Sequence, residues 1–439
     1  MTTQEKVLGP PRIAYIVSRF PALTETFVLQ EMLEMEKQGV GVELYPLLRQ
    51  CTRVIHPAAQ PWIHRAHYHP FFSLAILRAH LYFIRRDPGL YLRVWAEVLA
   101  GTWGSPNFFV GAVAIFPKTV LFARQMLGQR VVHVHAQFAN HPAVAALIIH
   151  RLTSIPFSFT ARGTDIQVDQ RMLKQKIEAA EFAIAVCFHN KQVMVKECGP
   201  ALAGKIHVIH GGVDVDRLSA TAKAQLEPRP FRILCVARFE EVKGHTYLIA
   251  ACRLLQERGV LFECRLIGEG PLYSQIEKQI REAGLESRIH LLGPRTYEEV
   301  IHELCQSDVV VLPTAPTSSG KREGIPNVLK EAMASGLPVV ASAVGGIPEL
   351  VEDGRSGILL PPRDAVVLAD ALQNLSADAA LRQRLGREGC QKVRREFNLK
   401  ISTLKRAELF LGTGFDASIR GQLILAHQPA LKSAAHHPV

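Results

Sequence analysis

The sequence lacks most of the features that mark secreted, disulfide-bonded or membrane-spanning proteins. Its eight cysteines are dispersed without a CxxC pair, and six lie in apolar surroundings. That pattern suits buried thiols in a reducing compartment better than a disulfide framework. No apolar signal-peptide segment follows the start MTTQEKVLGPPRIAYIV. We therefore expect a cytoplasmic protein, either soluble or peripheral on the inner face of a membrane.

Acidic residues are scarce in the first third of the chain. Residues 51–150 carry nine Lys/Arg against two acids, so much of the net charge of +11 lies there. Between Glu97 and Lys118 there are 20 uncharged residues, but GTWGSPN interrupts them. The remaining apolar run, FFVGAVAIFP, is too short for a bilayer, which needs about 20 apolar residues. A membrane span is not expected here.

The segment 52–128 is basic, aromatic and helical in pattern. One interpretation is a helical excursion that packs on a neighbouring sheet. The other is a cationic amphipathic surface that touches an anionic membrane or a lipid-linked substrate. The sequence leaves both open.

Elsewhere, short apolar strands alternate with helical patterns, which predicts parallel α/β sheets with right-handed crossovers. The strands form two series that meet near residues 212–230, so we predict two doubly wound domains facing each other across a cleft. The first series is RIAYIVS, VGVELYPL, VVHVHAQF, FSFTAR, FAIAVC and IHVIHGG. The second is RILCVAR, ECRLIGE, IHLLG, VVVLPT, PVVAS and GILLPP.

These patterns divide the chain into four parts. Residues 1–218 form a first Rossmann-like domain, which contains the excursion 52–128, and residues 219–395 form a second. Residues 396–415 are expected to form a helix that packs back on the first domain. Residues 416–439 are expected to be a weakly ordered tail.

The stretch REGIPNVLKEAMASGLPVVAS predicts a short helix at an anion site. Pro326 suits a first helical turn and Gly336 suits a helix end, so the helix is expected over 326–335. Its free N–H groups and its dipole favour a phosphate at the N-terminus. Glu323 precedes the helix and Glu331 lies about two turns further on. The pair could therefore contact two separate hydroxyl clusters of one extended ligand.

A set of motifs runs through the second half of the chain: KIHVIHGGVD, ILCVARFEEVKG, RLIGEGPL, DVVVLPT, REGIPNVLKEAMASGLPVVAS and VGGIPELVEDGRSGILLPPRD. Together they resemble the glycosyltransferases of family 4, which share the two-domain GT-B fold. The resemblance covers most of residues 12–400 and is strongest over 205–364. The start AYIVSRFPALTETFVLQEM is similar to the exopolysaccharide and colanic-acid branch of that family.

The resemblance implies a retaining transfer of a hexose from a nucleotide-diphosphate sugar to a glycan or lipid-linked acceptor, with no metal and no other cofactor. It implies that Arg238 and Lys243 bind the donor diphosphate, a role that suits two cations after a strand. Glu323 would contact the transferred sugar and Glu331 the ribose. The remaining donor-binding positions are the backbone N–H groups of Gly324, Ile325 and Asn327, and a turn at Gly268, which either lies near the base or is purely architectural.

Three residues of the first domain complete the predicted catalytic group. The family usually has histidine where this chain has Arg162, and arginine cannot exchange a proton near neutral pH. Arg162 could instead stabilise a diphosphate or an oxyanion. Asp165 could orient Arg162 or an acceptor hydroxyl, or it could cap a helix. His135 could contact the acceptor, or it could be a packed histidine at a strand end.

Motifs of other enzyme classes are missing from the sequence: it contains no GxSxG, HExxH, Walker loop or zinc spacing. Asp214 and Asp216 imitate a metal-binding Asp-x-Asp, but they fall in the connection between the two series and are interpreted as linker. No nucleic-acid partner is expected. A nucleotide-sugar epimerase or phosphorylase, and a non-catalytic binding partner, stay open as alternatives.

Overall fold

The computed structural model describes residues 11–412 apart from 23–24, 52–54, 220–228 and 319. The predicted tail over 416–439 lies outside the described residues. Two six-stranded parallel sheets form the molecule, with strand orders β2-β1-β3-β4-β5-β6 and β12-β11-β10-β7-β8-β9. These are doubly wound α/β sheets, as the alternating pattern predicts.

Each predicted strand corresponds to an observed one. The first sheet contains β1 (Arg12–Phe20), β2 (Gly41–Arg49), β3 (Val131–Gln137), β4 (Phe157–Ala161), β5 (Phe182–Ala185) and β6 (Ile206–Val208). The second sheet contains β7 (Phe231–Val236), β8 (Phe262–Ile267), β9 (Ile289–Gly293), β10 (Val309–Leu312), β11 (Val339–Ser342) and β12 (Ile358–Leu360).

Helices connect the strands and cover both faces of each sheet. The helices before the second sheet are α1 (Thr26–Lys37), α2 (Gln60–Arg65), α3 (Leu74–Arg86), α4 (Pro88–Thr102), α5 (Pro106–Gln129), α6 (His141–Thr153), α7 (Thr164–Gln167), α8 (Leu173–Ala179), α9 (Phe188–Cys198) and α10 (Val215–Ser219). The later helices are α11 (His245–Glu257), α12 (Tyr273–Glu282), α13 (Tyr297–Cys305), α14 (Asn327–Ala334), α15 (Ile347–Leu350), α16 (Ala365–Ala377), α17 (Ala379–Glu396) and α18 (Leu399–Leu411).

The strand orders determine where a ligand can bind. In the first sheet the chain reverses direction between β1 and β3, and in the second between β7 and β10. At such a switch point the loops leave the carboxyl ends of adjacent strands in opposite directions and open a crevice. The two crevices face each other and form one cleft.

The excursion 52–128 contains α2 to α5. The sequence predicts that its apolar stretch is too short to span a bilayer. This prediction is wrong about the length, because Pro117 does not end the helix: α5 begins at Pro106 and is 24 residues long. By length and composition α5 could cross a membrane, although 56% of its most apolar window is buried inside the protein. Buried Lys118 donates from Nζ to the Leu47 carbonyl oxygen at 2.8 Å. A helix in the core of a soluble protein can have the same length and composition, so these two properties alone do not indicate a membrane span.

The last described helix returns to the first half of the chain. Helix α18 packs against α1. Its Phe410 contacts the rings of Tyr15 and His135. Backbone bonds between Val213 and the residues around Asn398 hold α18 next to the connection between the sheets. The C-terminal helix therefore contributes to the core of the first domain.

Candidate active site

A cleft with a volume of about 590 Å³ lies where the two switch points face each other. The first sheet contributes residues that follow β1, β3 and β4, and the second contributes residues that follow β7, β8 and β10. The cleft brings together nine of the predicted site residues: Arg162, Arg238, Lys243, Gly268, Glu323, Gly324, Ile325, Asn327 and Glu331.

Helix α14 begins inside this cleft. It covers Asn327–Ala334, so it is one residue shorter at each end than predicted, and Pro326 precedes the first turn because its ψ of 133° is extended. Among the described residues, no side chain caps the N-terminus of α14. Its first N–H groups therefore point toward the cleft without a side-chain acceptor, which favours an anion.

An ion pair lies next to this helix start. Lys243 Nζ is 2.5 Å from Glu323 Oε2, and each side chain is less than one-fifth exposed. Nearby, Glu240 accepts from Arg238 at 3.0 Å and from Lys321 at 2.6 Å. The wall of the cleft formed by the second sheet thus holds three cations and two carboxylates in two neighbouring ion-paired groups. The sequence reasoning missed Lys321, although it stands two residues before Glu323.

Two glycines of the cleft permit close backbone approaches. A Cβ at Gly324 would stand 2.7 Å from the carbonyl oxygen of Arg162, so this glycine lets the second domain reach the first. A Cβ at Gly268, where φ is +144°, would stand 2.0 Å from the carbonyl oxygen of Ala237. Gly268 is therefore required for the backbone path, in addition to lining the cleft.

Arg162 reaches into the cleft from the end of β4. Its Nη2 donates to Gln137 Oε1 at 2.6 Å and lies 3.5 Å from Glu31 Oε2. Its guanidinium also sits 4.1 Å from the ring centroid of Phe27. Burial lowers the pKa of Arg162 to about 10, and Glu31 opposes that shift. The group stays cationic at neutral pH.

Glu31 compensates this buried charge. It accepts from Tyr15 Oη at 3.0 Å and from Gln137 Nε2 at 2.9 Å. A second cation, Arg406 of α18, lies 3.4 Å from Glu31 Oε2 and is 1% exposed. The sequence reasoning did not select Glu31. The signal was present, because Glu31 falls on the buried face of α1 between apolar residues.

Asp165 does not line the cleft, but it holds the backbone of the turn that carries Arg162 into the cleft. Its carboxylate accepts from the backbone N–H groups of Ala139, Arg162 and Gly163 at 2.7 to 3.2 Å. Asp165 thereby connects the end of β3 with the turn that carries Arg162. Its contacts are those of a positioning residue.

His135 is placed differently from the predicted catalytic position. The ring is 0% exposed, and its two nitrogens contact Ser158 Oγ at 2.8 Å and Thr160 Oγ1 at 2.9 Å. Burial holds the pKa of His135 well below its usual range. Of the two alternatives for His135, acceptor contact is wrong and the packed histidine agrees with the structure, because its side chain points into the core beside β4.

Lys330 is a further cation that the sequence reasoning missed. It lines the cleft, is 2% exposed, and donates from Nζ to the carbonyl oxygen of Gly211 at 2.6 Å. Burial lowers the pKa of Lys330 to about 7, with Glu331 opposing the shift, and burial raises the pKa of Glu331 to about 7. The pair joins α14 to the connection between the two sheets.

The Asp-x-Asp sequence is occupied by ion pairs. Asp216 contacts Lys400 Nζ at 2.8 Å and Arg394 Nη1 at 3.2 Å, and Asp214 accepts from the backbone of Arg217. Among the residues that the structure describes, no group of three or more His, Cys, Asp or Glu is placed to hold a metal ion. The interpretation of this sequence as linker agrees with these contacts.

Known structures share this architecture. A glycosyltransferase from Rickettsia africae superposes with a TM-score of 0.68 at 17% identity, covering 94% of this chain and 99% of that one. Anabaena HepE superposes with a TM-score of 0.65 at 16% identity, covering 91% and 98%. Two facing doubly wound sheets with the site between them are the GT-B glycosyltransferase fold.

Sequence comparison identifies the family and the branch of this chain. The model of the family described as glycosyl transferases group 1 matches residues 230–378. The amylovoran biosynthesis glycosyltransferase AmsK of Erwinia amylovora is 40% identical over 47% of this chain, and that alignment spans only 51% of AmsK. The colanic acid biosynthesis glycosyltransferase WcaL of Salmonella typhimurium is 37% identical over 91% of this chain and 99% of its own length. The chain belongs to the group 1 glycosyltransferases, in the branch that contains AmsK and WcaL.

Proposed function

We propose that this enzyme transfers a hexose, with retention of configuration, from a nucleotide-diphosphate sugar to a glycan acceptor during exopolysaccharide synthesis. The observation that carries the proposal is one cleft in which the uncapped start of α14 lies among Arg238, Lys243 and two glutamates. A diphosphate between a sugar and a ribose matches that order of groups.

The diphosphate belongs at the cationic end. Helix N–H groups and the helix dipole stabilise phosphate oxygens, and Lys243 and Arg238 add full positive charges. An ionised carboxylate accepts hydrogen bonds from hydroxyl groups, and Glu323 and Glu331 can do so here. Glu323 would then hold the transferred sugar and Glu331 the ribose. Lys243 leaves Glu323 for the phosphate when the donor binds.

The names of the relatives support the two substrate classes. AmsK is named for amylovoran synthesis and WcaL for colanic acid synthesis, and both polymers are exopolysaccharides. HepE structures contain UDP and UDP-glucose. We propose a uridine or guanosine diphosphate hexose as donor and a growing polysaccharide unit as acceptor.

In the transfer, the bond between the anomeric carbon and the diphosphate oxygen breaks, and a bond to the acceptor oxygen forms on the same face. The acceptor proton passes to a phosphate oxygen of the leaving group. Arg238 and Lys243 stabilise the charge that develops on the diphosphate. Arg162, at the opposite wall, keeps a fixed positive charge beside the reacting sugar. These cations neutralise the charge that develops on the leaving diphosphate, so we propose that the transfer needs no metal.

The test uses the purified full chain with UDP- and GDP-hexoses, with and without extracted lipid-linked acceptors, in EDTA. We expect acceptor-dependent release of nucleoside diphosphate from one donor, and an α-linked product from an α-donor by NMR. A β-linked product would overturn retention. Release that requires added Mg²⁺ would overturn metal independence, and binding of a donor with no turnover on any acceptor would favour a non-catalytic role.

A further inference from the structure

Helix α3 has two apolar faces, and only one is covered. Its inner face packs against the helices behind it through Ile76, Ala79 and Phe83. Its outer face is apolar as well, and its side chains are 38–60% exposed. With about 3.6 residues per turn, the spacing i, i+3, i+7, i+10 places them in one stripe opposite the buried face. The stripe consists of Leu74, Leu77, Leu81 and Ile84.

Further exposed apolar side chains lie close to α3 along the chain. Phe71 and Phe72 precede α3, and Phe72 is 94% exposed. Leu92 on α4 and Trp103 at its end are 65% and 73% exposed. Most of the large exposed hydrophobic side chains among the described residues fall within 71–110. Such a concentration of exposed apolar side chains in one part of the chain favours an interaction site.

Arginines border this apolar surface. Arg78 and Arg85 directly follow Leu77 and Ile84 on the exposed side of α3, so they lie along one edge of the stripe. The other exposed arginines of the region are Arg86 and Arg93. The exposed acid of this region is Asp87, which lies between α3 and α4 and caps α4 by accepting from the N–H of Leu90. The border is therefore strongly cationic.

We propose that this surface, which we call the α3 face, binds the surface of an anionic lipid bilayer. An amphipathic helix lies in the interface plane with its apolar side chains in the boundary of headgroups and acyl chains. Arginines at that depth contact lipid phosphates, and each adds about 1 kcal/mol of attraction to an anionic leaflet. Charge complementarity favours this occupant over a second copy of the chain, whose own α3 face is equally cationic.

Helix α4, which packs against α3, is connected to the cleft through the turn at its C-terminal end. The turn after α4 is held by Ser105, which donates to Asp169 Oδ2 at 2.6 Å. Asp169 follows α7, and Thr164 at the start of α7 lines the cleft. A bilayer on the α3 face would therefore contact the same domain that carries the acceptor half of the site. This consequence, that a lipid-linked acceptor enters from the membrane, rests on the proposed function, whereas the membrane contact itself does not.

Co-sedimentation with vesicles tests the contact. The full chain is mixed at low salt with vesicles of phosphatidylcholine alone or with about one-third phosphatidylglycerol. We expect binding to the anionic vesicles and at least about tenfold weaker binding after Leu77→Glu with Leu81→Glu. Arg78→Gln with Arg85→Gln should weaken only the anionic preference. The matched control is Leu261→Glu with Val366→Glu, two exposed apolar residues elsewhere that should leave binding unchanged.

Other outcomes overturn the proposal. Equal binding of parent and Leu77→Glu/Leu81→Glu would exclude the α3 face, and absence of binding to either vesicle would exclude a lipid partner. A concentration-dependent dimer that the double variant abolishes would assign the face to a second copy. Acceptor-dependent release of nucleoside diphosphate in detergent and the circular dichroism spectrum are measured in parallel. If the vesicle result fails while that release persists, only the membrane contact is rejected.

Discussion

The ammonium group of Lys243 and the carboxylate of Glu323 lie 2.5 Å apart at the start of α14. One residue follows β7 and the other precedes α14, so the pair joins two loops of the second sheet inside the cleft. In the absence of a donor each charge compensates the other. A donor diphosphate would compete for Lys243, and a sugar hydroxyl would then occupy Glu323.

The first prediction concerns this pair. Lys243→Met should lower kcat/KM by about 10²–10³, because a cation that stabilises the leaving group is lost. Glu323→Gln should lower kcat with a smaller change in donor affinity, because the amide can still bind a hydroxyl but carries no charge. Steady-state kinetics with the accepted donor measure both. As a control, Arg253→Met removes an exposed cation paired on the surface of α11 and should leave kcat/KM unchanged.

A merely structural pair would give a different result. The two single variants would lose stability, the double variant would recover it, and kcat per folded enzyme would stay near the parent value. A change of less than about threefold in kcat/KM for Lys243→Met would contradict the proposed role.

The predicted strands are confirmed because they depend on local sequence. Strands buried on both faces of a parallel sheet are continuous apolar runs, and Gly or Pro separates them from helices. The residues Pro326 and Gly336 located α14 to within one residue at each end for the same reason. The cleft also follows, since strand order alone places the loops that carry Arg238 and Glu323 together.

What the sequence could not provide are contacts between distant segments. His135 lies within β3, but the direction of its side chain depends on β4, whose Ser158 and Thr160 contact its two ring nitrogens. Glu31 and Arg406 lie near opposite ends of the chain, so no local pattern relates them. The sequence of α3 has apolar residues on two opposite sides of the helix, so it does not show which side packs against the rest of the protein. That distinction needs the packing of neighbouring helices.

The second prediction concerns Arg162. Because its pKa stays near 10, its charge is constant between pH 6 and 9. Arg162→His should make activity depend on pH in a new way, since imidazole is cationic only below about pH 6.5. The ratio of variant to parent kcat should rise as pH falls from 8 to 6. Arg162→Met should lower kcat by about 10² without that dependence.

The ratio is used because other groups of the cleft titrate near pH 7 in the parent as well. A flat ratio for Arg162→His, with activity close to the parent, would show that the positive charge is dispensable.

The third prediction tests the buried charges around Glu31. Arg406→Met should destabilise the protein by about 3 kcal/mol, because a buried carboxylate loses one of its two cations. Arg162, Tyr15 and Gln137 still contact Glu31, which limits the loss. Urea denaturation followed by circular dichroism measures the change. Arg395→Met, at an exposed pair, should change stability by less than about 0.5 kcal/mol. Equal effects of the two variants would contradict a buried ionic network.

The fourth prediction concerns the pH dependence of stability at Lys330. Its pKa is about 7 in the folded protein and about 10.4 in an unfolded chain. Between these values the unfolded state binds more protons, so the contribution of Lys330 to stability rises with pH from about 7 and is lowest below that pH. Lys330→Met does not titrate. The free energy of unfolding of Lys330→Met minus that of the parent should therefore be highest at pH 6 and should fall as the pH rises to 9.

Loss of the hydrogen bond to Gly211 lowers the stability of Lys330→Met at every pH, so the prediction is the slope and not the sign at one pH. Urea midpoints of parent and variant are compared at pH 6, 7, 8 and 9. Lys278→Met, on the exposed surface of α12, should give a difference independent of pH across this range. A constant difference for Lys330→Met as well would mean that the amine stays charged in the folded protein. Glu331 would then hold the charge of Lys330 more strongly than burial opposes it.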